Sequence, residues 1–142
     1  MNQNILDYLK TQRVCVLAVQ MPDGSPHAAT LHFASSDDGS RFFLLTSPGY
    51  RKAEAIRDGK VSPASLVIGT SEGDMKTLQL DGVVRLVNTD EQQLFNEIYY
   101  KALPEKQGKF PDGMAFVFLP TWWRFTDWTT PQGKTIICSE DK

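Results

Sequence analysis

Residues 42–59 read Phe42-Phe43-Leu44-Leu45-Thr46-Ser47-Pro48-Gly49-Tyr50-Arg51-Lys52-Ala53-Glu54-Ala55-Ile56-Arg57-Asp58-Gly59. The first four residues form a fully apolar strand. The remainder predicts a short helix over 48–58, with Ser47 as its N-cap, Pro48 in the first helical position and Gly59 as its stop. Arg51 and Lys52 fall in the opening turns, where the positive pole of the helix macrodipole makes cations mildly unfavourable. The cations, two hydroxyls and free backbone N–H groups together suit an anion, so the segment is a candidate phosphate cradle. The alternative is an exposed helix with two ordinary surface cations.

Upstream, Arg13 to Met21 is rich in valine and leucine and predicts a buried strand. Pro22-Asp23-Gly24-Ser25 is a strong turn signal leading into a second strand, His27 to Ala34. Ser35 to Ser40 turns the chain again into Arg41–Thr46. Connections this short predict an antiparallel meander. Ahead of it, Ile5, Leu6, Tyr8 and Leu9 suit a brief amphipathic helix.

Downstream, Ala64 to Thr70 predicts a strand, Ser71-Glu72-Gly73-Asp74 a turn and Met75 to Val87 a long strand. In that strand Leu78, Leu80, Val84 and Leu86 alternate with Thr77, Gln79, Asp81 and Arg85. Gly82 in its middle predicts a bend or bulge, as a closing barrel requires. Thr89 followed by Gln92 has the capping-box pattern for a helix over 90–103. A polar loop over 104–113, strands Ala115–Leu119 and Trp122–Thr129, and a polar tail complete the chain. Six or seven short strands with peripheral helices imply one mainly β domain over 1–142, a small antiparallel barrel.

Composition narrows the function. The 142 residues are 41% hydrophobic and 23% charged, ordinary for a globular chain. Fifteen Lys and Arg against 17 Asp and Glu give a net charge of −2, which argues against nucleic-acid binding. No apolar run is long enough for a membrane-spanning helix. The start, Met-Asn-Gln-Asn-Ile-Leu-Asp, lacks the basic and apolar segments of a signal peptide. Cys15 and Cys138 form neither a metal-spacing pair nor a disulfide framework, and Cys15 reads as a small packed hydrophobe. These features point to a cytoplasmic protein. His27 and His32, five apart on a strand, face opposite ways and cannot share one metal shell.

The order of these features resembles the pyridoxamine 5′-phosphate oxidase-like proteins, the FMN-binding split β-barrels. The similarity runs over residues 5–87 and more loosely through the final strands. It rests on Asp23-Gly24, the strand His27–Ala34, Thr46, and Arg51-Lys52 five and six residues after that threonine. The resemblance implies that Thr46, Arg51 and Lys52 bind the FMN phosphate, with Ser47 adding a donor. It implies that Thr30, Leu31, His32 and Phe33 run past the ribityl chain and the flavin ring. It also implies a homodimer with the flavin at the subunit interface, a small-molecule redox substrate or NAD(P)H, and flavin-dependent oxidoreductase activity.

The departures are specific. Tyr50 stands where the family often has serine. Thr77 takes the place of a glutamine five residues before the strand glycine, and Gln79 on the same face is its candidate substitute. Arg124-Phe125-Thr126-Asp127-Trp128 keeps the first arginine and the aspartate of the oxidases' Arg-Leu-His-Asp-Arg and loses the histidine and second arginine. The resemblance therefore does not extend to oxidising pyridoxamine phosphate. Trp122, Trp123, Phe125 and Trp128 form an aromatic patch, read either as core or interface packing or as a wall over the flavin, with Trp123 and Trp128 as contacts. Rival readings keep the barrel: a flavin- or haem-binding or stress-related module without turnover, or a deazaflavin-dependent reductase.

Overall fold

The computed structural model describes residues 1–140 and shows why the sheet curls without closing. The elements in chain order are α1 (Gln3–Lys10), β1 (Val14–Gln20), β2 (Pro26–His32), β3 (Ala34–Ser35), β4 (Phe42–Thr46), β5 (Ser62–Ile68), β6 (Lys76–Leu86), α2 (Gln92–Ala102), β7 (Met114–Thr130) and β8 (Gly133–Cys138). The sheet runs β2-β1-β5-β6-β7-β4-β3, every pairing antiparallel, with β8 added along β7. This is a mainly antiparallel sheet curled into a half-barrel with a few helices, the split-barrel architecture.

The meander expected from the short connections is half right. β1 and β2 form a hairpin, but β2 does not pair with β4. The strand expected over 27–34 breaks at Phe33, whose backbone N–H donates to Arg13 O at 3.0 Å. Its ring is buried, 6.0 Å from that of Phe42. The chain then re-enters the sheet at β3 against β4, leaving β2 and β3–β4 at opposite ends of the sheet order.

Two cores explain the strand patterns. Inside the curl, Cys15, Leu17 and Val19 of β1, Leu66 and Ile68 of β5, and Leu78, Leu80 and Val84 of β6 pack with Phe118 and with Ile5, Tyr8 and Leu9 of α1. Cys15 is fully buried there and burial pushes its thiol up to about 12, as a packed hydrophobe would be. On the other face of β3, β4 and β7, Ala34, Phe43 and Val117 pack against Phe95, Tyr99 and Leu103 of α2 and its end. β4 is thus covered on both sides, which is why it is apolar without alternation.

Three expected elements are corrected. The tail expected to be polar contains β8, whose Thr135, Ile136 and Ile137 pair with β7; its last two residues lie outside the described residues. The two final strands are one, β7, which runs through Pro120. The register slips between Asp81 and Gly82, leaving Thr121 as the extra residue of a bulge next to Pro120, the kind of position at which a strand tolerates proline. The capping box expected at Thr89 sits one residue earlier, at Asn88, and caps a 3-10 turn over Thr89–Glu91 that leads into α2. Asn88 accepts from Glu91 N at 3.0 Å while the Glu91 carboxylate accepts from Asn88 N at 3.3 Å. Glu91 is also paired with Arg85, at 2.5 and 3.0 Å.

Asp38 shows how the turns are pinned. Its carboxylate accepts from Ser36 Oγ, Ser40 N and Ser40 Oγ at 2.7, 3.0 and 2.7 Å. These bonds, those from Ser40 first, hold its pKa at about 2. A depressed folded-state pKa gives stability that is present above the unfolded pKa, ordinarily ~3.9, and lost as pH falls through the folded one. Asp38→Asn should therefore flatten the acid limb of stability between roughly pH 4 and 2. Urea midpoints measured at stepped pH check this, and an unchanged acid limb contradicts it.

Candidate functional site

The seam between β2 and β4 opens into a cleft of about 330 Å³. β2 supplies Thr30, Leu31 and His32; β4 and the turn after it supply Leu45, Thr46, Ser47 and Tyr50. Lys52, Tyr99, Lys106 and Phe110 complete the lining. Six of the residues singled out from sequence, Thr30, Leu31, His32, Thr46, Ser47 and Lys52, thus meet here from segments that do not pair with one another.

The helix expected over 48–58 is absent. Ser47 to Tyr50 form a turn closed by Tyr50 N to Ser47 O at 3.1 Å. A 3-10 turn comes next over Arg51–Ala55, starting from an extended Tyr50 (φ −81°, ψ 147°), and a second over Arg57–Gly59 with Asp58 at φ 62°. Gly49 disfavours a helix, and Ala53, Ala55 and Ile56 sink into the interior at a spacing tighter than the α-helical one. The macrodipole argument for an anion therefore falls. Local chemistry remains: two hydroxyls, Thr46 and Ser47, and the Lys52 ammonium.

Lys52 is half-buried, and desolvation lowers its pKa; its Nζ lies 4.5 Å from the centre of the Tyr50 ring. Arg51 is exposed and does not line the cleft; the pKa of Asp23 in the β1–β2 turn is lowered by its hydrogen bonds from Ser25, with Arg51 adding little. His32 is held below its ordinary pKa by burial, then by Lys106 and Arg13, which favours the neutral imidazole. Leu31, Leu45, Tyr99 and Phe110 give the cleft apolar walls. The donor set fits a ligand with a phosphate at one end and a flat apolar body, as FMN is.

Other expected contacts lie elsewhere. Phe33 points into the core rather than the cleft. Gln79 is on the outer face of β6 and accepts from Arg124 Nη2 at 2.9 Å. Trp123 packs partly buried against the main core. Thr77 and Trp128 line a separate cleft of about 420 Å³ with Gly69, Thr70, Ser71, Glu72, Met75 and Lys76. Trp128 and Met75 are exposed at its edge, and Lys134 Nζ lies 5.8 Å from the Trp128 ring centre.

Tyr99, Lys106 and Phe110 are cleft residues that the sequence pattern does not single out. Tyr99 follows the helical apolar spacing and reads as core, which it also is. Lys106 and Phe110 belong to the 104–113 connector. Only its aromatic beside a lysine, 5.5 Å from ring centre to Nζ, hints at more than a linker.

Among the described residues no group of three His, Cys, Asp or Glu side chains gathers to hold a metal, and no helix is long and apolar enough to cross a membrane.

Comparison with solved structures gives the same architecture. A pyridoxamine 5′-phosphate oxidase-related, FMN-binding protein from Nostoc punctiforme matches with a TM-score of 0.66 at 13% identity, over 96% of this chain and 88% of its own. The heme storage protein HutZ from Vibrio cholerae matches at 0.62 and 17%, over 83% and 89%. A protein related to general stress protein 26 from Clostridium acetobutylicum matches at 0.61 and 15%, over 96% and 96%. Identities this low carry the fold alone. Among curated proteins none matches by sequence. The family model described as pyridoxamine 5′-phosphate oxidase, however, matches residues 1–127. With a match over most of its length, the chain belongs to the pyridoxamine 5′-phosphate oxidase family.

Proposed function

We propose that this protein binds FMN in the seam cleft and is a flavin-dependent oxidoreductase whose substrate is not pyridoxamine phosphate. The observation that carries this is the meeting of Thr46, Ser47 and Lys52 with Thr30, Leu31 and His32 in one cleft, cationic at the lysine and apolar along its walls. Thr46 and Ser47 donate hydroxyls to the phosphate and Lys52 its charge, a pairing stronger than neutral hydrogen bonding. Arg51, next in the chain, adds charge from the rim. Leu31, Leu45 and Tyr99 exclude water from the ring.

The flavin would supply hydride or electron transfer; the chain binds it, orients it and sets its electrostatic surroundings. No side-chain acid or base is required of the cleft, and none of its described lining residues is a carboxylate. The neutral His32 imidazole is able to donate or accept a proton at its ring nitrogens.

The reading includes a homodimer. The second cleft, with Thr77 and the exposed Trp128, is remote in lining from the first, and Trp128 of the partner subunit would cover the flavin's open side. A second reading, haem binding, is favoured by one observation: a neutral imidazole, the usual haem ligand, lines the cleft.

The absorbance spectrum of the purified, unboiled protein separates the two. FMN gives a band at about 450 nm, and stopped-flow addition of NADH or NADPH should bleach it if the protein turns over. A haem Soret band in place of the flavin band, with no uptake of added FMN, contradicts the proposal.

A further inference from the structure

Tyr50 is an aromatic residue with no place in the interior. It is 60% exposed and belongs to neither hydrophobic core, yet it lines the seam cleft. Its backbone is fixed on both sides. The Tyr50 N–H donates to Ser47 O at 3.1 Å, and the Tyr50 carbonyl accepts from Ala53 N at 3.0 Å. Ala53 is fully buried, and Arg57 Nη2 donates to Pro48 O at 2.7 Å across the same turn. The ring is therefore carried on an anchored turn. From there it faces the Lys52 ammonium, whose Nζ lies 4.5 Å from the ring centre. This is the shortest contact of a lysine or arginine with a ring among the described residues. Among those residues no carboxylate lines the cleft or pairs with Lys52, so the ring is what holds the ammonium. The attraction is that of a cation for the electron-rich face of an aromatic ring. Without it the flexible lysine stem is free to swing its charge into water.

We infer that Tyr50 is a positioning residue: its ring holds the Lys52 ammonium at the cleft, set for the phosphate before the cofactor arrives. This rests on the proposed placing of the FMN phosphate at Lys52. An ammonium has three donors, so one can face the ring while others remain for the phosphate. Holding the side chain in place removes rotamer freedom that binding would otherwise have to take away. The gain falls on the phosphate and on no other part of the ligand. Serine, which the family often carries at this position, offers a hydroxyl and no ring face.

The test compares Tyr50→Leu, Tyr50→Phe and Lys52→Ala by titration with FMN and riboflavin and by proton NMR of the free protein. Tyr50→Leu should weaken FMN binding about three- to fivefold and leave riboflavin within about 1.5-fold. Tyr50→Phe, which keeps the ring face, should retain the wild-type affinity for FMN. In the Lys52→Ala background, Tyr50→Leu should cost nothing further. In the free protein the Lys52 ε-methylene protons should resonate upfield of an ordinary lysine and return to the ordinary position in Tyr50→Leu. A loss in Tyr50→Phe as large as in Tyr50→Leu overturns the inference, because the hydroxyl and not the ring face would be at work. Equal weakening of riboflavin overturns it too, by making Tyr50 a wall of the cleft. So does unchanged FMN affinity in Tyr50→Leu where Lys52→Ala still loses it, or an ordinary Lys52 signal in the wild type. If Lys52→Ala leaves FMN affinity unchanged, the cofactor reading fails and this inference falls with it.

Discussion

Replacing Arg51 and Lys52 together by alanine should lower FMN affinity by roughly a hundredfold, about 3 kcal/mol, while changing riboflavin affinity by less than threefold. The contrast matters more than the size. Riboflavin carries the same ring and ribityl chain without the phosphate, so only a site that grips the phosphate distinguishes the two. Most of the effect should come from Lys52, which lines the cleft and is half-buried, because a charge-assisted bond gains strength where water is displaced. Arg51, exposed and outside the cleft lining, should contribute less and lose its contribution at high salt. Fluorescence-quenching titrations of both flavins against wild type, each single variant and the double variant check this. Equal losses for FMN and riboflavin would mean the cations shape the cleft and do not read the phosphate.

The second large effect falls on the frame. Gly82→Val should destabilise the fold by about 3 kcal/mol or more, lowering the melting temperature by roughly 10 °C. The first added carbon would run into the Leu119 carbonyl, a backbone group that no rotamer change can move aside. This is the point where β6 crosses the bulge of β7, with Thr121 Oγ1 donating to Asp81 O at 3.2 Å. Pushing the strands apart there disturbs the bend that lets the sheet curl. Gly24→Val is the comparison: its position has open space but a φ of 86°, so its cost is backbone strain alone and should be smaller. Differential scanning calorimetry of the two variants decides it. A Gly82 variant as stable as the Gly24 one would show that the bulge relaxes.

Much of this architecture is legible in the chain because local chemistry and global demand agree there. Asp23-Gly24 is a turn in sequence and in structure, with Asp23 accepting from Ser25 N at 2.9 Å. Gly82 marks the bend in both, since a glycine inside an alternating strand has few other uses. Elsewhere tertiary context prevails. Residues 48–58 carry good helix punctuation, yet Ala53, Ala55 and Ile56 are drawn inward and the segment tightens into 3-10 turns. β8 has a clear β-branched run at Thr135–Ile137, hidden by its charged and polar flanks. The non-pairing of β2 and β4 is invisible in connection lengths, because a break at Phe33 is decided by where its ring finds a pocket.

The candidate site divides the same way. Thr30, Leu31, His32, Thr46, Ser47 and Lys52 are readable because they sit in an ordered pattern at fixed spacing. Lys106 and Phe110 are not, because a connector's destination depends on how its anchor, Leu103, is buried under α2. Phe33 and Trp123 fit the pattern as flavin contacts, but both side chains turn toward the interior. Thr77 and Trp128 come together in the second cleft, where a single chain cannot bring them to the first.

The central claim, that FMN is anchored in this cleft by its phosphate, is met most directly by the phosphorus NMR signal of FMN titrated into the protein. It should shift and broaden on binding to the wild type, and that change should disappear in Lys52→Ala at concentrations where the ring still binds. A ring that binds while the phosphorus signal stays at its free position would contradict the account.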